Sequence, residues 1–174
     1  MNYSLSTSIE ILERTPEVLI VMLKDLSADW TCHNEGPATW NVCDVVGHLI
    51  HGEKTDWIPR MDIILSGIPG KTFDPFDPLE NVHETKGRSL IELLNEFKRL
   101  RQKNLDYLKD KNLSTSDLEL TGIHPEFGTV TLSQMLSTWT VHDLNHIAQI
   151  SRILAKQYKD AVGPWIGYLR ILQS

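Results

Sequence analysis

His142 and His146 lie four positions apart in a segment whose apolar residues recur at helical spacing. On a helix that spacing is about one turn, with roughly 6 Å between the Cα atoms. Two imidazoles so placed can reach a single metal ion. The spacing also suits two histidines packed at a seam between helices, and taken alone it leaves both readings open. Sorting the segment by face puts Met135, Trp139, His142, His146, Gln149 and Ile153 on one stripe, and Leu132, Leu136, Ile147, Ile150 and Leu154 on the next. Gln134, Thr138, Asn145, Arg152 and Lys156 form the polar face.

A third histidine, His48, falls on an earlier helical segment, on the flank of a core face made by Val46, Leu49, Ile50, Trp57 and Ile64. Gly52 follows one turn later, where a glycine costs a helix about 1 kcal/mol relative to alanine. Two explanations stand side by side: room for a ligand above His48, or close packing of helices. Two histidines from one helix and one from another would leave positions on the ion open, the pattern of catalytic rather than closed structural sites. Three imidazoles suit several divalent transition metals, with zinc and nickel the expected occupants. Trp57 and Trp139 are candidate pocket walls, and Gly52 and His51 candidate pocket residues. His51 sits on an otherwise polar stripe with Asp44 and Thr55 and is read as a pocket rim or plain surface. His33, His83 and His124 fall in expected loops and are read as solvated. Cys32 and Cys43 have no ligand spacing.

Two carboxylates fall among apolar neighbours, Asp143 beside Leu136, Ile147 and Ile150, and Glu53 beside Val46, Leu49 and Trp57. Buried carboxylates need donors. Arg60, an indole N–H or backbone amides are the expected partners. A sharper reading makes Asp143, with Gln149, a group behind the ligands that orients them, as metal-binding histidines usually require. Glu53 as a general base is disfavoured, because its face points away from His48. No residue is assigned as catalytic.

These side chains require long helices to carry them. The first spans about Leu5–Leu26, either kinked or divided at Pro16; the second opens at the N-cap Asn41, runs past Met61 and bends at Pro59. A Gly/Pro/Asp-rich loop covers about Gly67–Gly87, including Asp74-Pro75 and Asp77-Pro78. The third helix starts near Ser89 with a core stripe of Leu90, Leu93, Leu94, Phe97, Leu100, Tyr107 and Leu108. An irregular stretch from Asn112 to Val130 precedes a fourth helix, capped by Thr131 and reaching about Tyr158; Trp165–Leu172 forms a short final helix. No segment reads as a sheet. The expected fold is all-α, an up-down four-helix bundle in a single domain over residues 1–174.

A net charge of −6 with no basic run argues against nucleic acid and anionic membrane as partners. Two cysteines without a framework, no basic region followed by an apolar run, and no apolar stretch of membrane-spanning length give a cytoplasmic expectation.

Trp40-Asn41 leading into Gly47-His48-Leu49-Ile50, the run Trp139-Thr140-Val141-His142-Asp143-Leu144-Asn145-His146, and Val162-Gly163-Pro164-Trp165 resemble the DinB-like family over nearly the whole chain. That resemblance implies a four-helix bundle with a metal held by three histidines, which map onto His48, His142 and His146. Family members include metal-dependent hydrolases and thiol-dependent transferases. The expected activity is therefore transfer or hydrolysis on a small molecule, with a low-molecular-weight thiol as a candidate cosubstrate. The rival is a non-catalytic metal-binding, sensor or interaction module.

Apolar residues cover more than half the circumference of the fourth helix, and with the resemblance this gives the expectation of a homodimer. Sedimentation at high micromolar concentration is expected to show twice the chain mass; a monomer there removes the expectation.

Overall fold

Three of the long helices begin on a reciprocal cap. The side chains of Asn41, Ser89 and Thr131 accept from the backbone N–H groups of Asp44, Glu92 and Gln134, whose own side chains accept in return. The computed structural model describes residues 3–68, 70–75 and 85–173. Its helices are α1 (Leu5–Leu23), α2 (Ala28–Thr31), α3 (Val42–Thr55), α4 (Trp57–Leu65), α5 (Leu90–Asp110), α6 (Thr115–Leu118) and α7 (Leu132–Lys156). The strands β1 (Thr121–His124) and β2 (Gly128–Thr131) precede α7, and two 3-10 turns, Gly163–Tyr168 and Arg170–Leu172, follow it.

The all-α bundle is present, formed by α1, α3, α5 and α7. α1 packs between α5 and α7, and α3 also touches both, so α1 and α3 lie diagonally although they follow one another as long helices. The connection of 24–41, which carries α2, is long enough to permit that crossing.

Two prolines have opposite effects. Pro59 has no N–H for the carbonyl of Thr55, and its ring crowds that carbonyl, so α3 ends at Thr55. The break therefore comes one turn before the expected bend, and Pro59 itself sits harmlessly in the first turn of α4. Pro16 likewise leaves the carbonyl of Leu12 without its helical partner, yet α1 is a single helix. Nη1 of Arg101 donates to Leu12 O at 2.9 Å and fills the gap.

The expectation of no sheet is overturned. Thr121 pairs with Thr131 and Ile123 with Thr129 in an antiparallel hairpin around Pro125-Glu126-Phe127, with Gly128 at φ +73° closing the turn. The hairpin is tied to the segment before it, where Phe73 N donates to Ile123 O at 2.9 Å. Gly122 permits this seat: a Cβ there would lie 2.7 Å from the Phe73 ring and 2.8 Å from Ile64 Cγ1. Smaller differences also occur. Tyr107, placed in the core stripe, is 39% exposed, its hydroxyl donating to Asp62. The final helix is 3-10, and α7 ends at Lys156. Asp77-Pro78 and His83 lie outside the described residues.

The core divides into two apolar clusters. One gathers Leu19, Leu23, Val46, Ile50, Leu94, Phe97 and Ile153; the other gathers Leu12, Met61, Phe73, Leu108, Leu136 and Trp139. Along each bundle helix the residues between these sets include buried polar ones: Thr15, Glu53, Arg101 with Asn104, and Asp143 with His146. Arg101 is the centre of that layer. Its Nε and Nη2 donate to Glu53 Oε1 at 3.0 and 2.7 Å, and its Nη1 and Nη2 to Asp143 Oδ2 and Oδ1 at 2.5 and 2.9 Å. The sequence reading offered Arg60 as partner; Arg60 instead pairs with Asp56. An indole N–H was rightly expected, since Trp139 Nε1 donates to Glu53 Oε1 at 3.1 Å.

Burial alone would lower the pKa of Arg101, but the two carboxylates outweigh it and hold the guanidinium above its ordinary value. Burial pushes Glu53 upward against Arg101. Among the described residues its side chain meets donors only, Arg101, Trp139 and Asn104, which is the environment of a carboxylate. Replacing Arg101 by leucine strands two buried carboxylates and is expected to cost about 3–5 kcal/mol. Urea unfolding measures this; a loss under about 1 kcal/mol would show that the layer does not hold the bundle.

Candidate metal centre

The two spacings seen in the sequence meet in space. α3 brings His48, and α7 brings His142 and His146, to a point where one nitrogen of each lies within 4.8 Å of the others. Nε2 of His142 is 2.9 Å from that of His48 and 3.1 Å from that of His146. Nitrogens about 2.0–2.1 Å from one shared zinc-sized ion would be roughly 3.3 Å apart in a tetrahedral arrangement. The three rings are therefore gathered about as closely as ligation requires. Gln149 Oε1, an acceptor, lies 2.7 Å from Nδ1 of His146. The proton must then sit on Nδ1, and the lone pair of Nε2 is left facing the other two rings.

All three rings resist protonation. Burial, then the charge His146 would carry, lowers His48 to about 4. The same two effects, with His48 and Arg101 adding to them, lower His142 to about 2. His146 is lowered by burial against the opposing bond to Gln149. Neutral imidazole is the ligating form, so the donor set fits a divalent ion.

Aromatic rings hold the cluster. Trp40, just before the cap of α3, lies 4.9 Å from the His48 ring and 6.4 Å from that of His146. Trp57 meets His142 edge-on at 5.2 Å and stacks on Trp139 at 5.6 Å. Gly52 serves this stack, because a Cβ there would be 3.2 Å from Trp57 Nε1. The space at Gly52 therefore goes to Trp57, not to a ligand above His48.

A cavity of about 420 Å³ opens onto His48, His142 and His146, with Trp57 among its walls. Trp139 is fully buried behind Trp57, and neither it, Gly52 nor His51 lines the space. His51 is not a surface residue as expected: it is 3% exposed, with Nε2 3.2 Å from Thr55 Oγ1. The flank of α3 that looks polar in sequence is covered in the fold. Asp143 lies between the histidines in sequence but gives both oxygens to Arg101. Glu53 does not line the cavity.

His124, expected in a solvated loop, is half-buried in β1 and stacked on Phe127 at 4.4 Å. It lines the cavity with Phe127, Phe73, Asp56 and Arg60. Sequence reasoning missed this wall because the hairpin that builds it was read as irregular. Gln134 and Thr138, sorted to a polar face, also line it. Arg101 was missed too, although it follows Leu94 and Phe97 at helical spacing and so falls on the core stripe. His33 is exposed, and Cys32 and Cys43 are free thiols. No described helix is long and apolar enough to cross a membrane.

The sequence model of the DinB superfamily matches residues 11–150. No curated protein matches the chain. Among solved structures, YfiT from Bacillus subtilis is similar over 91% of this chain and 87% of its own, with 20% sequence identity and a TM-score of 0.74. It is called a probable metal-dependent hydrolase with an unusual four-helix bundle topology. At that identity the likeness establishes the fold.

The depressed histidine pKa values set a pH dependence for the metal-free protein. Below about pH 6.5 the unfolded chain takes up protons that the folded cluster refuses, so stability falls with pH. Each refused proton contributes up to about 1.4 kcal/mol per pH unit. Unfolding of chelator-treated protein between pH 7 and 5 is expected to show this slope, reduced in His142→Gln; equal slopes for the two proteins would contradict it.

Proposed function

We propose that this chain, which belongs to the DinB superfamily, holds one divalent transition metal with His48, His142 and His146 and uses it on a small molecule, either by thiol-dependent transfer or by hydrolysis. The observation that carries the reading is that all three histidines line one substrate-sized cavity. A purely structural ion needs no such opening, which speaks against the non-catalytic alternative. When bound, the ion would supply a Lewis acid that favours deprotonation of water or a thiol near neutral pH.

The chain's own groups prepare that site. Gln149 fixes the tautomer of His146, and Trp57, backed by Trp139, fixes the His142 ring. Trp57, Phe73, Phe127 and Met135 give the cavity apolar walls, which limit water around the reacting atoms. Zinc or nickel fits three neutral nitrogens. The family resemblance favours thiol transfer, and the likeness to YfiT favours hydrolysis. We extend the reading to a cytoplasmic homodimer without nucleic-acid or membrane partners. Support comes from the acidic charge and from Val141 and Leu144, which remain 62% and 46% exposed on α7.

Elemental analysis and turnover test the reading together. Protein loaded with zinc or nickel is expected to consume low-molecular-weight thiols in the presence of alkyl halides or epoxides, or to hydrolyse members of an ester and amide panel. His142→Ala and His146→Ala should lose the ion on dialysis against a mild chelator. His48→Ala should lower turnover roughly hundredfold or more while the bundle stays folded. Full metal in both α7 variants, or rates equal to the metal-free control across thiols, panels and both metals, would overturn it.

A further inference from the structure

The cavity has a second polar pole. Arg60, in the second turn of α4, lines the same space as the histidines, and its side chain is 13% exposed. Its guanidinium lies over the Phe73 ring, with Cζ 5.6 Å from the centroid. Nη2 pairs with Asp56 Oδ1 at 2.8 Å, and among the described residues the guanidinium makes no other hydrogen bond or ion pair. A guanidinium carries five N–H donors in a planar fork. Asp56 takes one donor and holds the fork in place, and none of the other Arg60 nitrogens is shut away from solvent without a partner, so they remain accessible in the cavity that Arg60 lines.

We propose that Arg60 is the anchor for a carboxylate on the molecule that enters this cavity, so that the site takes organic acids whose reactive end meets the three histidines. The inference rests on the reading that the histidine-lined cavity is the substrate site. A carboxylate is the group that the fork matches with two parallel bonds. Asp56, one turn earlier on the same side, fixes the guanidinium through one oxygen and leaves the remaining donors for a ligand. Phe73, Phe127 and Met135 suit an apolar body between the two poles. His124 accepts from the backbone N–H groups of Glu126 and Phe127 through Nδ1, so its proton sits on Nε2 and adds a donor to the same wall. Asp56 offsets the charge of Arg60, and Glu126 is exposed and screened at the surface. The excess positive charge then comes from an ion on three neutral ligands, which favours an anion in the cavity as a whole.

The test uses zinc-loaded full-length protein and a homologous series, mercaptoacetate through mercaptohexanoate, each compared calorimetrically with the mercaptoalcohol of equal chain length. At the best length the acid is expected to bind roughly tenfold tighter than the alcohol. Arg60→Gln should keep its zinc and lose that preference. Asp56→Asn, which keeps an oxygen for Nη2 but removes the competing negative charge, should bind the acid about threefold tighter than wild type, and it decides the matter if Arg60→Gln fails to fold. Equal affinities for acid and alcohol in the wild type, or a preference that survives in Arg60→Gln, overturns the assignment. Should the protein take no zinc or bind no thiol, the thiol reading above fails on its own. Metal-free protein titrated with phenylacetate then decides for Arg60: a saturable NMR shift of its Nε–H, absent with phenylethanol, upholds the anchor, and no shift refutes it.

Discussion

One buried guanidinium ties the four bundle helices together. Arg101 on α5 bonds the Leu12 carbonyl of α1, Glu53 of α3 and Asp143 of α7, all within a layer that separates two apolar clusters. An ion pair in such a place is not obviously stabilising by itself, because desolvating the charges costs as much as their attraction returns. Its effect is on register. Each partner is at a fixed height on its helix, and the fork accepts the two carboxylates only in one alignment. Sliding α7 by a turn against α3 would strand charge in the core, so the layer selects one alignment of the helices that carry the histidines.

The connection to the histidine cluster is short and physical. Asp143 stands next to His142 in sequence, three residues before His146, and its bond to Arg101 fixes the rotation of α7. Glu53 accepts from Trp139, which stacks on Trp57, which meets His142 edge-on. The ring of His142 is thus held from two directions, through the backbone of its own helix and through an indole wall. Gly52 and Pro59 serve the same wall: the proline ends α3 one turn early, and the glycine leaves space for Trp57 where the chain restarts.

What could be read from the sequence follows the range of the interactions involved. The histidine stripe on α7, the caps at Asn41 and Thr131, the start of the third helix near Ser89 and the core face of α3 depend on local signals, and they stand in the structure where those signals put them. The hairpin does not have that advantage. Its strands are four residues each, and its identity depends on Gly122 fitting against Phe73, some fifty positions away in the chain. Arg101 was hidden for a related reason: a long cation on a helix normally reaches water, and only its partners on α3 and α7 show that it turns inward. Pro16 reads as a helix breaker until a donor from α5 replaces its missing N–H. His51 was misplaced because burial of a polar stripe is decided by what packs over it, and His124 because the hairpin that carries it was read as a loop.

The distribution of charge gives the site its direction. Two carboxylates and one guanidinium leave the buried layer with a net negative charge, behind the histidines and out of reach of the cavity. The three rings are held neutral, so they would not cancel the charge of an ion between them. The layer acts on the rings in opposite senses, Arg101 disfavouring positive charge at His142 and Asp143 favouring it at His146, so the field of an ion held there would fall mainly on the open side. On that side the wall is mostly apolar, with Asp56 and Arg60 offsetting one another. With such an ion in place, the site would present positive potential to whatever enters the cavity, the condition under which a weakly acidic nucleophile loses its proton at neutral pH.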